Sequence, residues 1–351
     1  MVTEDGYVLT LGHIAGKINE PTAHKPAVLF MHAQDCDMNE YVAHGPETAP
    51  AFVLVNEGYD VWLGNNRGSL YSHAHVSLDI HSKEYWDFYQ EDMARYDAPA
   101  FIDYITETTG HEKISYVGHS EGTTQFFLGA SLLPEYYTSK INLFMALAPV
   151  ASTANIPTPY LRFAAKFIKE IELAVMKLGL YNWFAPMQDA IEGEELFCSI
   201  PELKEVCKHG YSLLHNEGVD DPKVGETFLS HEPSGQSWRT FAYYAQMINS
   251  GNFELYDYGH YRNSEIYGQK TPPLVPIQNY NVPTALFSGS LDNLADPVDV
   301  AWITEQISDS VVFAKEYLMD HFTFVIGKDM SYFTVDAVNV IKQYNPPLAL
   351  I

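Results

Sequence analysis

The chain has 351 residues, 46% of them hydrophobic and including 24 Tyr and 19 Phe, enough to bury a sizeable core and to exclude a largely disordered protein. Acidic residues outnumber basic ones 45 to 20, and the resulting net charge of −25 repels nucleic acid and anionic membranes. Protonating all 14 histidines would move that charge to −11, which suits an acidic setting.

In chain order, Tyr7–Ile14 reads as a strand, Pro26–His32 as a buried strand and Tyr59–Asn65 as another. Glu91–Gly110 has helical spacing and a glycine stop. A strand from Ile114 to Val117 follows, then a helix to about Leu133 and a strand over Asn142–Val150. This alternation implies a mostly parallel central sheet flanked by helices. The rhythm changes after Val150: residues 151–280 are helix-rich and end in the proline-dense "KTPPLVPIQNY". Within them Tyr160–Phe184 is apolar at helical spacing, the packing face of a helix or part of an acyl pocket or lipid-facing surface. Strand character returns at Val282–Ser290 and Val311–Leu318, and a last helix covers about Ser331 to Tyr344. The expected division is a core of residues 1–150 and 281–351 interrupted by a helical cap of residues 151–280.

The longest apolar run, Ile141–Ala151, is too short to cross a bilayer and carries Asn142 and Pro149, so no transmembrane segment is expected. The opening Met1-Val2-Thr3-Glu4-Asp5 shows no leader and suggests a mature-domain start. There is no N-x-S/T sequon. Cys198 and Cys207 are spaced closely enough to close a local loop, although three reduced thiols fit the sequence equally well.

Gly118-His119-Ser120-Glu121-Gly122 lies between a strand and a helix, the setting in which G-x-S-x-G lifts a serine hydroxyl clear of a sheet. Such a serine needs a general base and an orienting acid, following in the order Ser, Asp or Glu, His at later strand ends. Asp292 stands just past the Val282 strand, with Asp296 and Asp299 as competitors, and His321 follows the next strand. An oxyanion needs two converging N–H donors. One is the backbone of Glu121 and the other is assigned to Gln34, in the loop after Pro26–His32. His73, His75 and His81 lack an acidic frame and read as surface residues, so no metal is expected; His119 reads as packed. Cys36, beside acids, should be a poor nucleophile.

The motifs "VTEDGYVL", "GYDVWLGNNRG", "MARYDAPAFIDYI", "YVGHSEGTTQFF", "ALAPVA", "LADPVDV" and "HFTF" occur in order along nearly the whole chain. On them it resembles the acid lipase family of α/β-hydrolases, which includes gastric and lysosomal acid lipases. The resemblance implies an α/β-hydrolase fold, a serine esterase acting on triacylglycerols or sterol esters, and no cofactor. It implies a cap gating the site, which could meet a lipid-droplet or micelle interface. It assigns the catalytic roles to Ser120, Asp292 and His321. It carries a disulfide onto Cys198 and Cys207, and with it a secreted or lysosome-like compartment.

Two departures matter. The family usually has Gln where Glu121 stands, and its oxyanion loop usually begins His-Gly followed by apolar residues. Here the loop reads "HAQDCDMNEY", with Ala33 in place of glycine and Asp35, Asp37 and Glu40 following. An ionised Glu121 about 6 Å from the developing oxyanion would cost roughly 2–3 kcal/mol at an effective dielectric near 20, about a 30- to 150-fold loss of rate. Repulsion among clustered carboxylates should raise their pKa values and shift the optimum towards acid. The alternative function is a lipase-like lipid-binding or storage protein with little activity.

Overall fold

The computed structural model describes residues 1–18, 24–183 and 216–347. Cys198 and Cys207, and so their expected disulfide, lie outside the described residues. The strands are β1 (Tyr7–Val8), β2 (Leu11–Ile14), β3 (Ala27–Met31), β4 (Asp60–Gly64), β5 (Ala74–His75), β6 (Ile114–His119), β7 (Ile141–Leu147), β8 (Asn182–Trp183), β9 (Gln236–Ser237), β10 (Thr284–Gly289) and β11 (Val311–Tyr317). Seven of them form one sheet in the order β11-β10-β7-β6-β3-β4-β2. Every neighbouring pair is parallel except β2 with β4.

The central strands β3, β6 and β10 are buried along their whole length and mostly apolar, because both faces are covered. Leu29 and Met31 of β3 join one hydrophobic layer, with Tyr116, Phe126 and Phe144. Val28 and Phe30 join the other, with Val117, Met145 and Phe287. Among the described residues no helix is long and apolar enough to cross a membrane.

The expected single strand over Tyr7–Ile14 is two. β1 pairs with β5 outside the main sheet while β2 pairs with β4 inside it, so the chain must break between them. The long apolar stretch from Tyr160 is also divided, into Pro159–Lys166 and Ile168–Lys177, with Phe167 in a non-helical conformation between them. The helix expected from Glu91 runs from Gln90–Asp92 through a π turn at Met93–Asp97 into Ala98–Thr109, and Gly110 ends it at φ 74°. Arg67, in the loop after β4, is buried and braces that helix to the N-terminal segment: it binds Asp97 at 2.7 Å and Asp5 at 2.6 Å.

Candidate active site

Ser120 directly follows β6, and its backbone sits at φ 51°, ψ −112°, outside the regions open to most L-residues. The helix Glu121–Leu132 begins directly after it. Close approach, not chain reversal, requires the flanking glycines. A Cβ at Gly118 would lie 2.6 Å from the Gly122 carbonyl oxygen, and one at Gly122 would run into the Met31 carbonyl. The turn therefore packs against the end of β3, where Met31 stands opposite Gly118.

The three residues expected to act together do meet. Ser120 Oγ lies 2.7 Å from His321 Nε2, and His321 Nδ1 lies 2.9 and 3.0 Å from the two Asp292 oxygens. All three are buried. Asp292 Oδ1 also accepts the N–H groups of Leu294 and Ala295 at 2.9 and 2.8 Å. A carboxylate facing Nδ1 requires the proton there, which leaves Nε2 free to accept the Ser120 hydroxyl. The competing acids are engaged elsewhere. Asp296 accepts from Val298 N–H and caps the helix Pro297–Gln306, while Asp299 accepts from Ser152 and Asn155.

Gln34 and Glu121 each lie three residues past a paired position, Met31 of β3 and Gly118 of β6. Glu121 opens its helix, where the first-turn N–H groups carry the positive end of the dipole. The Gln34 side chain donates to Thr240 Oγ1 at 3.3 Å. Ala33 needs no positive φ; the loop takes its left-handed residue at Asp35, φ 58°.

The acidic loop is arranged differently from the sequence expectation. Asp37 accepts from Asn39 N–H and Ser234 Oγ–H, and both oxygens of Glu40 face the Ala33 N–H at 3.2 and 3.3 Å. These carboxyls turn inward and hold their own loop. The Glu121 carboxyl is fully buried, accepting from Gln90 Nε2 at 2.8 Å and Gln236 Nε2 at 2.9 Å. Burial pushes it up to about 8 against the lowering effect of the two amides, and the carboxylate that adds to the rise is Asp97, not Asp35 or Asp37. Desolvation thus replaces the expected repulsion as the cause. Among the described residues Gln90 Oε1 has no partner, while Gln90 Nε2 also donates to the Thr240 carbonyl oxygen at 3.3 Å, which keeps the amide nitrogen turned towards Glu121.

Glu232 escaped the sequence reading. It accepts the Asp37 N–H at 3.1 Å and is pushed up to about 11, by burial first and then by Asp37. No local pattern signals it, because its partner lies 195 residues away. Cys36 is buried amid these groups, and burial together with Glu232, Glu40, Asp35 and Asp37 drives its thiol well above the usual range. That is the environment of an inert thiol.

Residues 43–175 match the family model described as alpha/beta hydrolase fold. The chain is 36% identical to gastric triacylglycerol lipase of Rattus norvegicus, over 94% of this chain and 84% of that protein. It is 34% identical to lipase member K of Homo sapiens, over 94% and 83% of the two chains. With lysosomal acid lipase/cholesteryl ester hydrolase of Homo sapiens it shares 32% identity over 97% and 86%. Among solved structures, a putative aryl esterase from Burkholderia cenocepacia superimposes with a TM-score of 0.55 at 14% identity, covering 98% of this chain and 97% of that one. A monoacylglycerol lipase of Paleococcus ferrophilus gives 0.52 at 15%, covering 96% and 99%; at these identities the likeness speaks for the fold alone.

Proposed function

Because the chain belongs to the acid lipase family of α/β-hydrolases, we propose that it hydrolyses carboxylic esters of neutral lipids. The observation that carries the reading is the unbroken hydrogen-bonded series from Ser120 through His321 to Asp292. Ser120 Oγ attacks the ester carbonyl as His321 Nε2 takes its proton. The N–H groups of Gln34 and Glu121 hold the oxyanion, and His321 then delivers the proton to the leaving alcohol. Water enters by the same route, releasing the acid and restoring Ser120. Asp292 fixes the imidazole and stabilises its charged form.

The names of the relatives point to triacylglycerols or sterol esters as substrates and to a secreted or lysosome-like compartment. In this reading residues 151–280 form a cap over the core and meet the lipid surface.

A fluorophosphonate probe, followed by peptide mapping, is expected to modify the folded protein at Ser120 and to leave Ser120→Ala unmodified. Purified protein should also release fatty acid from emulsified triacylglycerol or cholesteryl ester. No modification of folded protein anywhere between pH 4 and 8 would instead favour a lipid-binding or storage role.

A further inference from the structure

Three loops of the site converge on one pair of buried side chains. His119 is the last residue of β6, next to Ser120, and its Nε2 lies 2.9 Å from the carbonyl oxygen of His321. Its Nδ1 lies 3.4 Å from Glu40 Oε2, and Glu40 in turn receives the N–H of Ala33, the residue before Gln34. Neither side chain reaches solvent. The His119 ring stands 5.4 Å from the His321 ring and is boxed by Phe322 and Phe324.

Counting protons constrains the pair. A carbonyl only accepts, so the His119 nitrogen facing His321 must carry a hydrogen. The other nitrogen meets a carboxyl oxygen. With neither group protonated there, two lone pairs would oppose each other in a dry site, at a cost the fold has no means to offset. One proton therefore resides on the edge between His119 Nδ1 and Glu40 Oε2. Burial works against a charge on His119, but Glu40, the His321 carbonyl and, more weakly, Asp292 outweigh it and hold the imidazole above its usual range.

We propose that Glu40 and His119 are positioning residues for the hydrolysis inferred above: through one shared proton they lock the Gln34 oxyanion loop to the backbone of His321. Neither touches the reacting atoms. Glu40 sets the loop that presents the Gln34 N–H, and His119 fixes the backbone on which the general base rides. One coupled pair thus fixes the spacing between the group that takes the proton and the groups that hold the oxygen. Displacing such groups by about 1 Å costs on the order of 10²-fold in rate.

Glutamine and aspartate separate geometry from charge. Glu40→Gln keeps the reach, can accept the Ala33 N–H through its oxygen and can donate to His119 Nδ1. Glu40→Asp keeps the charge but, one methylene shorter, cannot span Ala33 and His119 together. The expected result is kcat within about 3-fold of wild type for Glu40→Gln and a loss of roughly 30-fold for Glu40→Asp. KM should stay within about 2-fold for both, and both should show wild-type circular dichroism. The rate of fluorophosphonate modification of Ser120 should follow kcat. Equal kcat in the two variants, or a larger loss in Glu40→Gln, would overturn the positioning role. So would losses that track thermal midpoint instead of side-chain chemistry. If wild-type protein neither turns over ester nor reacts with the probe, the hydrolase reading falls and the positioning role with it. An active wild type with indifferent Glu40 variants removes the positioning role alone.

Discussion

Asp292→Asn is expected to lower kcat roughly 10⁴-fold while leaving KM and the fold nearly unchanged. The size follows from which way the new amide must face. Oδ1 of residue 292 receives two backbone N–H groups, from Leu294 and Ala295. An asparagine keeps its oxygen there, because an NH₂ group in that place would confront two donors. Oδ1 also lies 3.0 Å from His321 Nδ1 but is already taken by the two backbone donors, while the amide nitrogen replaces Oδ2, the oxygen nearer to Nδ1 at 2.9 Å, and can only donate. His321 must shift its proton to Nε2, where it meets the Ser120 hydroxyl and cannot accept from it. Geometry survives and the base is lost. Steady-state rates of the variant on a soluble ester, with circular dichroism as the control, check this. A loss smaller than ten-fold would show that Asp292 does not set the tautomer, and would return attention to Asp296 and Asp299.

Glu121→Gln is expected to stabilise the protein by roughly 3 kcal/mol more at pH 7 than at pH 5, relative to wild type at each pH. Glu121 holds its proton up to about 8 in the fold, against an ordinary value near 4.5. Below about pH 4.5 it is protonated in both folded and unfolded chains and costs nothing. As pH rises from there towards 8, the unfolded chain ionises while the fold does not, and the folded state loses about 1.4 kcal/mol per pH unit. Glutamine has no proton to lose, so the difference between the two proteins widens across that window. The side chain is completely buried, so solvent screening does not reduce the effect. Denaturant unfolding of both proteins at the two pH values measures it. A pH-independent difference would mean that Glu121 is already ionised in the fold. A neutral carboxyl also changes the kinetic expectation, since below about pH 8 it places no negative charge beside the oxyanion. The penalty of roughly 2–3 kcal/mol expected from the sequence then applies only at alkaline pH.

Ser120, Asp292 and His321 could be found in the sequence because each stands at the end of a strand that the apolar pattern marks. The order of such ends along the chain is the order of the residues themselves. Asp292 reads ahead of Asp296 and Asp299 because it stands nearest the strand end, and what the sequence does not show is where the other two are engaged, at Val298 N–H and at Ser152 and Asn155. The state of Glu121 was not legible. Its donors lie 31 and 115 residues away in Gln90 and Gln236, and burial, which sets its proton affinity, depends on everything packed around it. The same limit explains the acidic loop. Charges adjacent in sequence suggest repulsion, yet Asp37 and Glu40 each turn to a different backbone N–H. Periodicity likewise showed that Tyr7–Ile14 is extended but could not show that its halves pair with different partners.

The backbone at Ser120, φ 51° and ψ −112°, costs on the order of 1–3 kcal/mol for any residue with a side chain. Glycine would relieve most of that, less about 0.5–1 kcal/mol for the extra freedom it gives the unfolded chain. The residue proposed as the nucleophile is thus one whose backbone the fold holds under strain. Any search that rewards this protein only for surviving heat, in a library or over generations, is expected to drift towards chains that have discarded Ser120. Resistance and turnover must be selected together to be kept together.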